Sequence, residues 1–260
     1  MSGTIRHEIL DDGIARVVLD HEPRLNAINN AMWDELSSLF ERFDADSDLR
    51  CIMITGAGEK AFSTGADISE FEENRSTIEK ARAYAKRTHG ALRTIQSCRH
   101  PVIAEIRGLC VGGGLETALC ADLRIAGKSA RFGIPVKRLG LVVAYDEMRG
   151  LVETVGRSNS LRILLEGDIF GAEEALGMGL INRVVEDAQV AEESLATAKR
   201  IAEGAPLVAR WHKKFARRLM DPAPLTAEEN DESFTCFGTE DFQIGYRAFL
   251  DKKKPAFTGR

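Results

Sequence analysis

Three consecutive glycines, Gly112 to Gly114, interrupt the apolar stretch GLCVGGGLETALCADLRIA at residues 108–126. Glycine takes up positive φ without steric cost and lets another backbone come close. The stretch before it, PVIAEIRG (101–108), is a short continuous apolar run of the kind that forms a buried strand. The next segment, GGLETALCA, has helical character, and DLRIAG (122–127) is another strand. A chain that passes from buried strand through a bare turn into a helix buries strands beneath helices. That restricts the fold class to α/β.

The same alternation continues on both sides. IRHEIL and IARVVLD (14–20) flank DDG, a hairpin signal. AINNAMWDELSSLFERFDAD sets Met32, Leu36, Leu39, Phe40 and Phe43 at helical spacing, with Asn29 or Asn30 as N-cap. LRCIMITG (49–56) reads as a buried strand, AGEKAFSTGADISEF as a loop, and residues 76–98 as an amphipathic helix. ARFGIPVKRLGLVV is extended or turn-rich. EMRGLVETVGRSNSLRILLEG is helical with a break near Gly156, and GAEEALGMG is a short helix ending at Gly179, before the strand LINRVVE. From Gln189 the pattern is helical to about Leu219; DPAP (221–224) is a loop, and TEDFQIGYRAFLDKKKP is a final helix with a basic end.

Composition narrows the function classes. With 260 residues, 44% hydrophobic and 29% charged, the chain suits one large α/β domain or one domain with a helical appendage. A net charge of −5 gives no electrostatic case for nucleic acid as the main partner. Cys51, Cys98, Cys110, Cys120 and Cys236 show neither CxxC pairing nor metal spacing, so reduced thiols and no metal site are expected. MSGTIRHEIL has no apolar signal core and no apolar run approaches membrane-spanning length. The expectation is a cytoplasmic chain without a membrane partner.

Two glycine loops, Gly65-Ala66-Asp67 and Gly112-Gly113-Gly114, each come after a buried strand and lead into a helix. Helix N-termini carry free N–H groups and partial positive charge. Two such donors from separate loops would hold an oxygen that gains negative charge during a reaction. Other uses of the glycines stand beside this one. Gly112 to Gly114 could serve close helix–strand packing alone. A dinucleotide fingerprint is not matched by Gly108-x-x-x-Gly112-Gly113-Gly114, and a phosphate loop lacks its closing Gly-Lys-Ser/Thr. Ser63 as a nucleophile lacks a G-x-S-x-G elbow. Glu116 sits among Leu115, Ala118, Leu119 and Cys120. A carboxyl in such surroundings has a raised pKa and can exchange protons near neutrality; the plainer reading is a solvated acid in the first turn of a helix.

Taken together, AFSTGADISEF, IAEIRGLCVGGGLETALCADLRIA, ARFGIPVKRLGL, EALGMGLINRVV and AFLDKKKPAF resemble, in order, segments of the crotonase superfamily, whose best-known member is enoyl-CoA hydratase. The resemblance runs from about residue 5 to residue 258. It implies a crotonase-like spiral of ββα units over residues 1–200 and a helical C-terminal region, 201–260, that takes part in trimerisation. It also implies an acyl-CoA thioester as substrate, no cofactor besides the coenzyme A that the substrate carries, and a homotrimer or dimer of trimers. By position, the Ala66 and Gly113 N–H groups would hold the thioester oxygen as it becomes an enolate. Glu116 falls on the first of the hydratase's two catalytic glutamates. Arg24 and Ala27 in PRLNAI, Asp67 and Ile68 in the first glycine loop, and Lys252 in FLDKKKP fall on CoA-binding positions, Lys252 from the chain's own or a neighbouring subunit.

The chain departs from the hydratase pattern at one point of consequence. The second glutamate, after Phe-Gly-x-Pro, is replaced by Val136, and the next segment is GLVVAYDEM, with Tyr145, Asp146 and Glu147. Valine neither activates water nor carries a proton. Any of these three could supply the missing group, or they could form a solvated acidic helix start. Enoyl-CoA isomerisation, decarboxylation and thioester hydrolysis, which need one carboxylate, therefore stand beside hydration. A catalytically weak homologue that binds acyl-CoA, or RNA through Lys80, Arg82, Lys86, Arg87 and Arg93 of EKARAYAKRTHGALR, is a further alternative.

Overall fold

The computed structural model describes residues 2–260. Strands β1 (Thr4–Leu10) and β2 (Ile14–Asp20) form the expected hairpin, Leu10 opposite Ile14, with Asp12 in the left-handed conformation at φ 62°. Helix α1 (Asn30–Ala45) comes next. Asn29 caps it by accepting from the Met32 N–H at 2.9 Å. Its buried face is Met32, Trp33, Leu36, Leu39, Phe40 and Phe43; each such side chain contributes roughly 1.5–3 kcal/mol on burial.

A unit of two strands and a helix is then repeated. The first is β3 (Cys51–Gly56), β4 (Ala61–Ser63) and the helices α2 (Phe71–Arg75) and α3 (Ile78–Ser97). The second is β5 (Val102–Ile106), β6 (Leu109–Val111) and α4 (Gly113–Leu119). The third is β7 (Leu123–Gly127), β8 (Arg131–Gly133) and α5 (Tyr145–Glu166). The longer strand of each unit enters one sheet and the shorter strand enters another. After β9 (Phe170–Gly171), α6 (Ala172–Gly177) and β10 (Arg183–Val185), the sheet orders are β1-β2-β3-β5-β7-β10 and β4-β6-β8-β9. All pairings beyond β1–β2 in the larger sheet are parallel, so the chain advances as a spiral with its helices outside. Every residue of β3 and β5 is buried, as covering both faces of a parallel sheet requires. One face meets the main core with α1, α3 and α4. Helix α7 (Val190–Ala202) packs Ala198 and Ala202 on the other, against Ile14, Cys51, Met53, Ile103 and Ile125.

The three-residue strands β4, β6 and β8 are not separable in the sequence, because three residues carry no period. The continuous helix expected to about Leu219 is in fact two, α7 and α8 (Pro206–Arg218). Pro206 holds Ala205 extended, at ψ 118°, and starts the new helix. Helix α8 is tied down through Arg210 to the Ser47 and Leu49 carbonyls, Lys213 to the His100 carbonyl and Arg217 to the Gln96 carbonyl. Beyond the DPAP loop a short helix α9 (Ala227–Glu232), opened by a Thr226–Glu229 capping box, was not foreseen. Helix α10 (Glu240–Leu250) is the expected last one. The break at Gly156 is present, with φ 71°. No helix among the described residues is long and apolar enough to cross a membrane.

Candidate active site

The first glycine loop is strung between β4 and the turn Arg24–Ile28. Leu25 and Asn26 sit at φ 53° and 56°, and buried Asn26 fixes the turn by donating to the Ala57 and Ala61 carbonyls at 2.9 and 2.7 Å. Ser63 is fully buried; its hydroxyl donates to the Asn26 carbonyl at 2.8 Å and accepts from the Gly65 N–H at 3.1 Å. It is a structural strut and not an exposed nucleophile. Ile28 donates to the Gly65 carbonyl at 2.7 Å and Asp67 to the Ile28 carbonyl at 3.0 Å. The Ala66 N–H between them has no acceptor among the described residues.

The second loop meets the first. Gly112 has φ 53° and ψ −131°, a region closed to other residues. Helix α4 begins at Gly113, so that N–H has no intrahelical acceptor. A methyl group on Gly114 would stand 2.1 Å from the Ser63 carbonyl, and one on Gly65, where φ is 90°, 2.6 Å from the Gly113 nitrogen. Close packing is therefore one reason for the glycines, but it does not exhaust them. A methyl on Gly113 would lie 3.5 Å from the Ala66 nitrogen and 3.6 Å from Glu116 Oε2. Two uncommitted N–H groups and one carboxyl thus surround a single small volume.

That volume belongs to an open cleft of about 170 Å³. Its walls include Ala66, Ile68, Gly112, Gly113, Glu116, Val136 and Glu147. Glu116 keeps some contact with solvent through the cleft but is otherwise enclosed by protein. Burial, with the neighbouring Glu147 carboxylate adding to it and the Arg75 cation opposing it, raises its pKa to about 8. Val136 is in the cleft where the sequence reading put it. Of the three acidic or phenolic substitutes, only Glu147 lines the cleft. Its Oε2 caps α5 by accepting from the Ala144 N–H at 2.9 Å, and its Oε1 is 3.1 Å from His89 Nε2. Tyr145 is 91% exposed. Asp146 is turned outward to His89 Nδ1 at 3.4 Å and Arg93 at 3.0 Å. The solvated helix start is the right description of those two residues and the wrong one of Glu147.

The residues read as CoA-binding divide. Ile68 is exposed at the cleft wall and Ala27 is buried in the adjoining turn. Burial pulls the Asp67 carboxyl upward, but two hydrogen bonds from Ser69 with the Arg24 and His21 side chains nearby outweigh it and hold the group below its ordinary value. Arg24, 3.9 Å from Asp67, projects into solvent beside the loop. Lys252 lies just after α10 at φ 56° and does not line the cleft of a single chain.

Helix α3 packs Tyr84, Thr88, Ala91, Leu92 and Ile95 inward. Arg87 pairs with Asp34 and Arg93 with Asp146, while Lys80 donates to Ser76 and to the Glu72 carbonyl. These partners partly neutralise the basic face singled out in the sequence. The inward side walls the cleft through Tyr84, Thr88 and Leu92, joined by Trp33 and Arg75. The sequence reading assigned none of these five to the site; the spacing of Trp33, Tyr84, Thr88 and Leu92 signals only core packing, and Arg75 stands in an acidic stretch.

The sequence profile described as enoyl-CoA hydratase/isomerase matches residues 10–260. The short-chain-enoyl-CoA hydratase of Clostridium acetobutylicum is 33% identical over 93% of this chain and 92% of its own. The crotonyl-CoA hydratase of Syntrophomonas wolfei is 32% identical over 96% of each. The crystal structure of an enoyl-CoA hydratase/carnithine racemase from Magnetospirillum magneticum superposes with a TM-score of 0.97 at 45% identity, covering 100% of this chain and 97% of that one.

Proposed function

This chain belongs to the enoyl-CoA hydratase/isomerase family, and on that footing we propose that it hydrates an α,β-unsaturated acyl-CoA thioester with Glu116 and Glu147 as its pair of carboxylates. The observation that carries the reading is the entry of Glu147 into the cleft of Glu116, close enough to raise its pKa. A two-carboxylate site is thereby restored from the start of α5, although Val136 occupies the familiar place. Carboxyls set apart by their surroundings divide into acid and base. Glu116, near 8, is protonated at neutral pH and supplies the proton to Cα. Glu147, its carboxylate anchored by the Ala144 N–H and by His89, takes a proton from the water whose oxygen bonds to Cβ. Ala66 and Gly113 hold the thioester oxygen while it is an enolate, and the proton gained by Glu147 resets Glu116. The reaction needs no cofactor besides the CoA of the substrate.

We read Arg24, Ala27, Asp67 and Ile68 as the CoA side of the cleft. The exposed aromatic side chains Phe234, Phe237, Phe242, Tyr246 and Phe249 on the last helices support assembly as a homotrimer or dimer of trimers. In such an assembly Lys252 would reach the CoA of a neighbouring subunit.

A panel of acyl-CoA thioesters read by mass spectrometry tests the reaction. A gain of one water is the expected product; double-bond migration, loss of carbon dioxide or free CoA without hydration would replace the hydratase reading. The roles have separate signatures. Glu147→Gln is expected to lower hydration about 10²- to 10⁴-fold, whereas Asp146→Asn, whose side chain faces out, stays within about twofold. Wild-type kcat/KM is expected to fall as pH rises through about 8, where Glu116 ionises. Any residual activity of Glu147→Gln is expected to fall at lower pH, because one of the causes holding Glu116 protonated is gone. Equal activity in Glu147→Gln and wild type would remove Glu147 from the mechanism.

A further inference from the structure

We propose that Arg75 selects acyl-CoA thioesters whose acyl chain itself ends in a carboxylate; this rests on the acyl-CoA reading of the cleft and deepens it. Arg75 closes helix α2 and lines the cleft. Its guanidinium is held between two aromatic rings, 4.7 Å from the Phe71 centroid and 4.6 Å from that of Tyr84, an attractive arrangement that also fixes its direction. Its Nε is buried without a hydrogen-bond partner, and no carboxylate lies within ion-pair distance of it among the described residues. Glu70, five residues before it, is engaged with the Asn30 N–H at 3.0 Å and Asn74 at 3.4 Å. Glu116 senses the Arg75 charge but makes no ion pair with it.

Arg16, Arg99 and Arg210 also bury an unpartnered Nε, but each has another partner: Arg16 pairs with Glu8, Arg99 donates to the Ser47 hydroxyl, and Arg210 donates to the Ser47 and Leu49 carbonyls. Arg124 donates to the Leu180 and Ala121 carbonyls at 2.7 and 2.6 Å, and Arg162 pairs with Glu166, Asp168 and Glu174. A guanidinium stays charged at every accessible pH, and withdrawing it from water is costly unless an anion or acceptor answers it. Arg75 is half-buried, and the chain answers its charge with the Phe71 and Tyr84 rings and the Tyr84 hydroxyl but with no carboxylate. Trp33, Ile68, Leu92, Val136 and Leu141 are among the other residues of the cleft, and they suit a hydrocarbon stem. An acyl group anchored by its thioester oxygen at Ala66 and Gly113 and running past Glu116 along this wall would present its far end to Arg75. A terminal carboxylate there makes charge-assisted, bidentate hydrogen bonds that a methyl cannot.

The test compares binding of unreactive saturated thioesters of equal chain length, pentanoyl-CoA and glutaryl-CoA, by titration calorimetry. Glutaryl-CoA is expected to bind about 10- to 100-fold tighter to the wild-type protein, the worth of one charged hydrogen-bonding interaction. Arg75→Met, which keeps the stem and loses the charge, is expected to bring the ratio to about one, and Arg75→Lys to restore part of it. Should Arg75→Met fail to fold, the wild-type ratio decides alone. Equal or weaker binding of glutaryl-CoA, or a preference that survives in Arg75→Met, overturns the proposal and leaves the acyl-CoA reading intact. Binding of neither thioester overturns both.

Discussion

Glu116→Gln is expected to lose at least about 10²- to 10⁴-fold in turnover, the usual worth of a positioned acid or base, while the protein still binds an acyl-CoA thioester. The amide has the shape of the carboxyl but exchanges no proton. Steady-state kinetics beside calorimetric binding separate the two properties; a variant that turns over at the wild-type rate ends the assignment. The same substitution has a stability signature of the opposite sense. In the folded protein Glu116 titrates near 8, against 4.5 for an ordinary glutamate. Between those values the folded state holds a proton that the unfolded state has released, so wild-type stability is full below about 4.5 and declines as pH rises through 8. Glutamine has no such decline. Glu116→Gln is therefore expected to melt higher than wild type at pH 8 to 9, with the difference shrinking toward pH 4. A variant that is inactive yet more stable above neutrality is the behaviour of a strained functional group; a lower melting temperature across that range would speak for a structural role.

Gly65→Ala carries the second large effect. At φ 90° a β-carbon is strained, and here it would also stand 2.6 Å from the Gly113 nitrogen. Its obstacle is backbone at the start of α4, which cannot swing aside as a side chain would. The Ala66 and Gly113 N–H groups must separate, and loss of one oxyanion donor costs about 10²- to 10³-fold in kcat. The expected result is a fall in kcat larger than any change in KM, with a modest drop in melting temperature. An intact kcat with a lowered melting temperature would show that Gly65 serves packing alone.

Much of the site was legible before folding was considered. A run of glycines beside a lone acid in apolar surroundings already suggested donors and a raised pKa, and Val136 marked the missing partner. The partner itself was not legible. Tyr145, Asp146 and Glu147 are consecutive and alike on paper. They diverge because α5 begins there, and about 100° per residue sends neighbouring side chains to different sides: Tyr145 to solvent, Asp146 toward Arg93, Glu147 into the cleft. Arg75 was silent for a related reason. An arginine in an acidic stretch, EFEENR, looks like a solvated end until Phe71 and Tyr84 close around it.

By itself the sequence determined the alternation of buried strand, glycine turn and helix, since apolar periodicity and backbone freedom are local properties of the residues. It also determined the break at Gly156 and narrowed the helix cap to Asn29 or Asn30 on the same local grounds. Only the tertiary structure decided which N–H groups share a volume, because Ala66 and Gly113 are brought together by contacts between Gly65, Ser63 and Gly114 across two strands. It alone decided which carboxylate faces Glu116 and which guanidinium enters the cleft without a carboxylate partner. Proximity between distant segments and the desolvation that shifts a charge are set by packing, and packing belongs to the whole chain.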